Sequence, residues 1–348
     1  MDQSLFRFKF RWVDDNGNET GFLKKSGWFN GETLQLDDMP IPVAALTDVQ
    51  IYDQRMVIAG IDEDGDVAMS VVRLYGVPPQ QLKSVIDISR SANWAELAKE
   101  QLEKEGRGHA FRSEICPRCS ATLILTDMPR TPQLYCHFCE SLTTFESAGA
   151  VIPNEQDYKL CEECGMYSRP RKFTVFYFYF LVVVFGYHQR ITWRCPACMR
   201  GDAWKMLFGN LLFVVGVPVA ITQLARCYGG GITGGPTAGL DAANLKARKG
   251  DVLGALDGYR VILENVPVCA GVKYNVGLAL AQQGETGRAA ESLRLAFDDC
   301  SNYVPAYRVL AACYEELGET ERLAELNRIW EVEDSEPESL DEALFDPV

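Results

Sequence analysis

Histidine is scarce in this chain: 348 residues contain only His109, His137 and His188. No H-E-x-x-H, G-x-S-x-G or G-x-x-x-x-G-K-[ST] pattern occurs. Zincin, serine-hydrolase and phosphate-loop chemistry therefore lack their usual side chains. Positive charge is also short, with 34 Lys and Arg against 48 Asp and Glu and a net charge of −14. A surface of that sign repels phosphate, which argues against nucleic acid as a general partner. The Met1-Asp2-Gln3-Ser4 start has no basic or apolar segment, so no cleaved signal peptide is expected. These absences point away from an enzyme and toward a binding or scaffolding protein.

Cysteine is abundant: twelve in all, eight of them in four C-x-x-C pairs. The pairs are Cys116/Cys119, Cys136/Cys139, Cys161/Cys164 and Cys195/Cys198. Two intervening residues let both sulfurs of a pair face one ion, and two such knuckles complete a tetrahedral four-thiolate site. Sixteen residues separate the first two knuckles and thirty the second two. The pattern predicts two structural zinc ions, and residues 114–200 resemble a tandem pair of zinc ribbons. Thiolate ligands also fit a reducing compartment. No βαβ context accompanies the pairs, so redox chemistry of the thioredoxin type is not expected.

Residues 1–107 read as β-structure followed by helix. Phe6, Phe8, Phe10 and Trp12 alternate with Arg7, Lys9 and Arg11, the period of a half-buried strand. Asn16-Gly17, Asn30-Gly31 and Asp64-Gly65 mark hairpin turns. After Pro78-Pro79, Leu82, Val85 and Ile86 fit one short helix, and Trp94, Leu97, Ala98 and Leu102 a second. A hairpin meander closed by a helix that carries Trp94 resembles the pleckstrin-homology (PH)-like small β-barrel. That resemblance implies a headgroup- or protein-binding module. The acidic turns (Asp14, Asp15, Asp37, Asp38, Asp62 to Asp66) favour protein.

Between the last two knuckles runs Phe173–Phe185, rich in aromatic and β-branched residues. It is too short for a spanning helix, which needs roughly 20 apolar residues. Tyr187, Gln189, Ile191 and Trp193 then alternate with His188, Arg190, Thr192 and Arg194, so a long ribbon hairpin is expected here. Met206–Ala225 is different: 20 residues without charge, flanked by Trp204 and Tyr228 and bracketed by Lys205 and Arg226. This predicts a membrane segment over 205–228 with an aromatic belt and lipid contact. Residues 165–205 carry seven basic residues and one acid. The positive-inside rule then places the zinc ribbons and the N-terminus in the cytoplasm. Whether residues 206–225 cross the membrane, re-enter it or are buried in a core stays open, and with it the side on which the C-terminal domain lies. The same basic excess motivates an alternative, a nucleic-acid-associated regulatory role for the ribbons.

A Gly-rich linker is expected at 229–239. Beyond it, Gly250-Asp251, Gly284-Glu285 and Gly318-Glu319 recur at a spacing of 34 residues. Ala255, Ala289 and Leu323 follow at one offset and Gly277 and Ala311 precede at another. Residues 240–332 thus resemble tetratricopeptide repeats (TPR), antiparallel helix pairs that stack into a solenoid. The resemblance implies a groove that binds a protein or peptide ligand. Ser301 stands where a proline is usual, and only Tyr274 and Tyr307 occupy aromatic slots. The tail 333–348 belongs to a stretch from Glu331 to Asp346 with eight acids and no base, expected to be solvated. Together these readings describe a multidomain α+β chain: a PH-like barrel with a helix, two zinc ribbons, one membrane segment and an all-α TPR solenoid. Its expected role is that of a membrane-associated, zinc-stabilised adaptor.

Overall fold

A computed structural model describes residues 5–14, 17–52, 54–61, 66–145, 152–181, 184–211, 216–229, 232 and 234–330. The Asp64-Gly65 turn, the acidic tail and part of the Gly-rich linker lie outside them. The chain divides into two compact units, Met1–Asp127 with Arg328–Val348, and Met128–Asn327.

In the first unit seven strands form one antiparallel sheet. They are β1 (Phe6–Val13), β2 (Glu19–Phe29), β3 (Thr33–Leu36), β4 (Met39–Pro42), β5 (Leu46–Tyr52), β6 (Arg55–Ile61) and β7 (Val67–Tyr75), in the order β4-β3-β2-β1-β7-β6-β5. The alternation at Phe8 and Phe10 is realised: both are buried while Arg7 and Lys9 are not. Asn30-Gly31 sits at the β2–β3 turn, with Gly31 at φ 93°. The expected small barrel is not found. Among the described residues no pairing joins β4 to β5, so the sheet stays open. The edge chemistry explains this. Pro40 and Pro42 remove two of the four N–H donors of β4, and proline belongs on an edge for that reason.

A single helix, α1 (Pro79–Lys104), follows the sheet in place of the two short helices expected. Apolar periodicity lapses between Ile86 and Trp94 because core-facing positions hold charge instead. Asp87 and Arg90 are buried and paired at 3.3 Å, and Lys83 also bonds Asp87. Arg90 further donates to the Thr47 carbonyl and lies 4.6 Å over the Trp94 ring. With no Gly or Pro in the stretch, the backbone continues unbroken. Leu82 and Ile86 join Phe10, Leu34, Leu36, Leu46 and Met56 in the core. Two short strands, β8 (Ser113–Ile115) and β9 (Thr122–Ile124), follow and flank the first knuckle.

The second unit opens with two small hairpins, β10 (Gln133–Cys136) with β11 (Ser141–Thr144) and β12 (Lys159–Leu160) with β13 (Tyr167–Ser168). A long one, β14 (Arg171–Leu181) with β15 (Val184–Arg194), matches the expected ribbon hairpin in register from Arg171↔Arg194 to Leu181↔Val184. The predicted membrane segment is overturned. Residues 206–210 and 217–225 fall in two helices packed on each other, α2 (Pro196–Asn210) and α3 (Val217–Tyr228), and residues 212–215 lie outside the described ones. Among the described residues no helix is long and apolar enough to cross a membrane. Trp204 and Tyr228, expected at opposite interfaces, are hydrogen-bonded to each other, Nε1 to Oη, at 3.2 Å. Met206, Ala220 and Cys227 instead cover Phe173 of the long hairpin. The physical cause of the break lies at Asn210 and Gly216. Asn210 turns its amide back to the Met206 and Phe176 carbonyls (2.7 and 2.8 Å), and a Cβ at Gly216 would lie 2.2 Å from Asn210 Oδ1.

The C-terminal region is helical and partly tetratricopeptide-like. Its helices are α4 (Leu240–Arg248), α5 (Val252–Asn265), α6 (Ala270–Ala281), α7 (Thr286–Asp299), α8 (Val304–Leu317) and α9 (Thr320–Trp330). The recurring glycines occupy the turn within each pair, at φ 82°, 75° and 70° for Gly250, Gly284 and Gly318. Only glycine adopts that region without strain. Gly277 serves a different need, since a Cβ there would come 2.6 Å from Leu293 Cγ where α6 crosses α7.

Candidate metal centres and the face of the repeats

The eight paired cysteines gather as two quartets. Cys116, Cys119, Cys136 and Cys139 form one and Cys161, Cys164, Cys195 and Cys198 the other, each with all four sulfurs within 4.8 Å of one another. Local backbone explains the knuckles. Cys161 N–H bonds the Met166 carbonyl at 3.0 Å and Gly165 N–H the Cys161 carbonyl at 2.8 Å. The same two bonds recur at the first knuckle, Cys116 to Ala121 and Ser120 to Cys116, both 2.9 Å. The residue after each of the first three knuckles is left-handed: Ser120 at φ 62°, Glu140 at 56° and Gly165 at 66°. Ser120 and Glu140, which depart from the usual glycine, take the same backbone as Gly165. The fourth knuckle differs because Pro196 starts helix α2 there, and Met199 is helical.

The second quartet tests the fit to zinc. A zinc–sulfur bond of about 2.3 Å places tetrahedral sulfurs about 3.8 Å apart. The Cys161–Cys198 and Cys164–Cys195 sulfurs stand at 3.6 and 4.0 Å. No disulfide links these four sulfurs. Cys195 N–H donates to Cys161 Sγ at 3.2 Å, as expected for a thiolate ligand. Hydrogen bonds shared with the Cys164, Cys195 and Cys198 sulfurs hold the Cys161 thiol far below its ordinary range. The Cys195 and Cys198 thiols are pushed far above theirs by bonds to Cys161. Four adjacent thiols cannot all ionise unless a cation compensates them. The donor set therefore fits a soft divalent ion with no coordination position left open. The other four cysteines take no part in a quartet. Cys227, Cys269, Cys300 and Cys313 are buried, and burial pushes the Cys269 thiol up to about 12.

Five of the seven basic residues in the run that motivated both membrane and nucleic-acid readings are engaged within the unit, while Lys172 and Arg190 are exposed. Arg169 pairs with Asp157, and the buried Arg194 pairs with Asp202 and Glu163. Lys205 bonds Asp202, Arg171 reaches the Arg226 carbonyl, and Arg200 lies over the Tyr228 ring.

A second constellation was not visible in the sequence. The first helices of the repeat pairs, α4, α6 and α8, neighbour one another, and β13 lies on α6. Asn275 of α6 grips both polar atoms of one residue: Tyr167 N–H donates to its Oδ1, and its Nδ2 donates to the Tyr167 carbonyl, both at 2.7 Å. Asn244 of α4 adds a bond to the same carbonyl at 3.0 Å and is itself held by Tyr259 at 2.8 Å. Asn302 repeats the grip on the first ribbon, taking Tyr135 N–H at 2.9 Å and giving to its carbonyl at 2.7 Å. Gln133 works in the other direction and accepts Ala270 N–H of α6 at 2.7 Å. Ser301, the residue in the proline slot, bonds the Pro129 carbonyl at 2.7 Å.

The rings complete the contact. Tyr135 packs edge-on to Tyr303, and a Cβ at Gly271 would lie 2.4 Å from the Tyr167 ring. Burial pushes the Tyr135, Tyr167 and Tyr303 phenols well up. The face expected to form an open peptide groove is thus covered by the chain's own ribbon strands. The available signal was a set of amides beside apolar segments, such as Asn275 directly before Val276–Ala281. The 34-residue count does not mark them, because Asn244 and Asn275 stand 31 apart.

Behind Gln133 sits a buried carboxylate. Glu155 accepts from Gln133 Nε2 at 2.7 Å, Thr144 Oγ1 at 2.8 Å and Thr144 N–H at 2.6 Å. Its pKa is raised by burial, against those hydrogen bonds. Glu155→Gln would turn an amide N–H against one of three donors. It is expected to lower stability by about 1–3 kcal/mol in denaturant titration, the cost of a buried unsatisfied group.

No family model matches the chain, and no curated protein matches it in sequence. Solved structures align in part, among them two described as MamA. One, described as a MamA D159K mutant, is 16% identical with a TM-score of 0.27, covering 40% of this chain and 74% of its own. The other, described as MamA AMB-1, is 18% identical with a TM-score of 0.27, covering 42% and 78%. The assignment of the repeats rests on the helix pairs themselves.

Proposed function

We propose that this chain is a non-enzymatic protein-interaction scaffold, stabilised by two structural zinc ions, whose repeat region recruits protein partners. The observation that carries the reading is the closed second quartet. Its four sulfurs fill every position of a tetrahedral ion, which leaves none for substrate or water. Cys161, Cys164, Cys195 and Cys198 would hold one ion and Cys116, Cys119, Cys136 and Cys139 the other. Each ion would fix its knuckles and supply no chemistry beyond that. Paired helices at a 34-residue period supply the interaction surface, since such repeats offer extended faces and carry no catalytic groups of their own. Chemical cross-linking of the full chain in its native cell extract tests the recruiting role. Cross-links from co-purifying proteins should concentrate on residues 240–330. Links confined to residues 5–127 would contradict it.

A further inference from the structure

We infer that the face formed by α4, α6 and α8 is a main-chain clamp whose resident ligand is the second ribbon, and that a protein partner's extended segment bearing tyrosine binds there by exchange with β13. This deepens the interaction reading above and rests on it. The chemistry of the occupant defines the chemistry of the partner. Asn275 takes the N–H and carbonyl of a single residue, and Asn244 takes the same carbonyl again. Those atoms exist in any extended peptide, so the clamp reads backbone. The side chain it admits is set by Gly271, against which the Tyr167 ring is seated, and by Tyr158, which stacks on that ring at 5.6 Å. An aromatic residue at the clamped position follows.

Three features make the resident strand exchangeable. β13 has two residues and, among the described residues, pairs only with Lys159 and Leu160, so little ladder holds it in the ribbon. Its seat is imperfect: among the described residues Tyr167 Oη and Ser168 Oγ are buried with no protein hydrogen-bond partner. Each such group weakens the docked state. Finally, Tyr167 follows the ligand Cys164 by three residues, and the quartet itself packs on Leu245 of α4. The ion that closes the knuckle therefore also presents the strand, and its loss frees the strand to leave. Asn302 and Tyr135 form the matching clamp on the first ribbon.

The test uses the full chain and a labelled peptide of residues 164–171 with Cys164→Ser, followed by fluorescence anisotropy. The metal-loaded protein should bind it at least tenfold more weakly than the chelated protein, a difference of about 1.4 kcal/mol. Asn275→Ala should abolish the gain, and a peptide with Tyr167→Ala should lose it. Equal binding with and without metal, or gain retained in Asn275→Ala, overturns the inference. Amide exchange in the metal-loaded chain guards against unfolding on chelation. Asn275→Ala should speed exchange at Tyr167 at least tenfold and leave Tyr135 unchanged. An unchanged Tyr167 rate also overturns the inference. Partner cross-links on residues 240–330 that persist in Asn275→Ala would retain the scaffold reading while removing the clamp as its site.

Discussion

Stripping the metal is expected to cost this protein more stability than any single side-chain change. Structural zinc contributes about 10–16 kcal/mol in isolated zinc-finger peptides at neutral pH; in this chain the loss falls on the knuckles, while the repeat helices keep a buried core of their own. The second quartet joins residues 161 and 195 across the base of the long hairpin and touches Leu245 of the repeats. A chelator should therefore lower the melting temperature of the full chain steeply, and Cys161→Ser should do the same without chelator. The dependence on pH separates this effect from the protein's buried carboxylates. Zinc binding requires four thiols to lose protons, so stability from the ions falls as pH is lowered. Glu155 and Asp299 have folded pKa values raised by burial. Their contribution is present below the ordinary carboxylate range and is lost as pH rises through the folded value. Acid thus favours those carboxylates and opposes the ions. The metal-loaded protein should melt at progressively lower temperature below neutrality, while the chelated protein should not. Parallel curves would mean that the quartets hold no ion.

The second large effect is expected at Asn275. Its side chain is fully buried and makes bonds to the N–H and carbonyl of Tyr167 and to Asn244. Asn275→Ala leaves the Tyr167 N–H unpaired in a buried site and should cost about 2–4 kcal/mol. Asn275→Asp keeps the acceptor but sets a charge against the Tyr167 carbonyl and Asn244 Oδ1. An uncompensated buried charge costs about 3–5 kcal/mol, so the isosteric change should be the worse of the two. Asn265 is exposed and bonds only its own helix. Asn265→Ala should stay within about 0.5 kcal/mol, which makes it the control in the same denaturant series.

Covalent spacing made the cysteine quartets legible in the sequence, and helical period made the repeats legible. Two residues between cysteines constrain sulfur geometry wherever the knuckle sits, and a glycine every 34 residues reports a backbone requirement that no partner can alter. The β14–β15 hairpin was readable for a similar reason, since alternation records which side of a strand is covered. The errors arose where tertiary context decides. An uncharged run of 20 residues satisfies both a membrane span and a pair of short helices covering Phe173. Asn210, whose side-chain amide donates back to the Met206 carbonyl at the end of α2, reads in sequence only as a polar blemish. The open edge at β4 depends on where two prolines fall in the sheet order. The continuity of α1 depends on Asp87 and Arg90 neutralising each other inside the core. The asparagine clamps were hidden because their ligand is the chain's own backbone, which every residue shares. Nothing in a side-chain pattern identifies a main-chain ligand.

Native mass measurement of the full chain, before and after chelation and combined with thiol alkylation, tests the account most directly. Two bound ions per chain are expected, one per quartet. The eight quartet cysteines should be shielded from alkylation while the ions are held and should become reactive together with their release. A chain that carries no ion when freshly purified under reducing conditions, with those eight thiols freely reactive, would contradict the account.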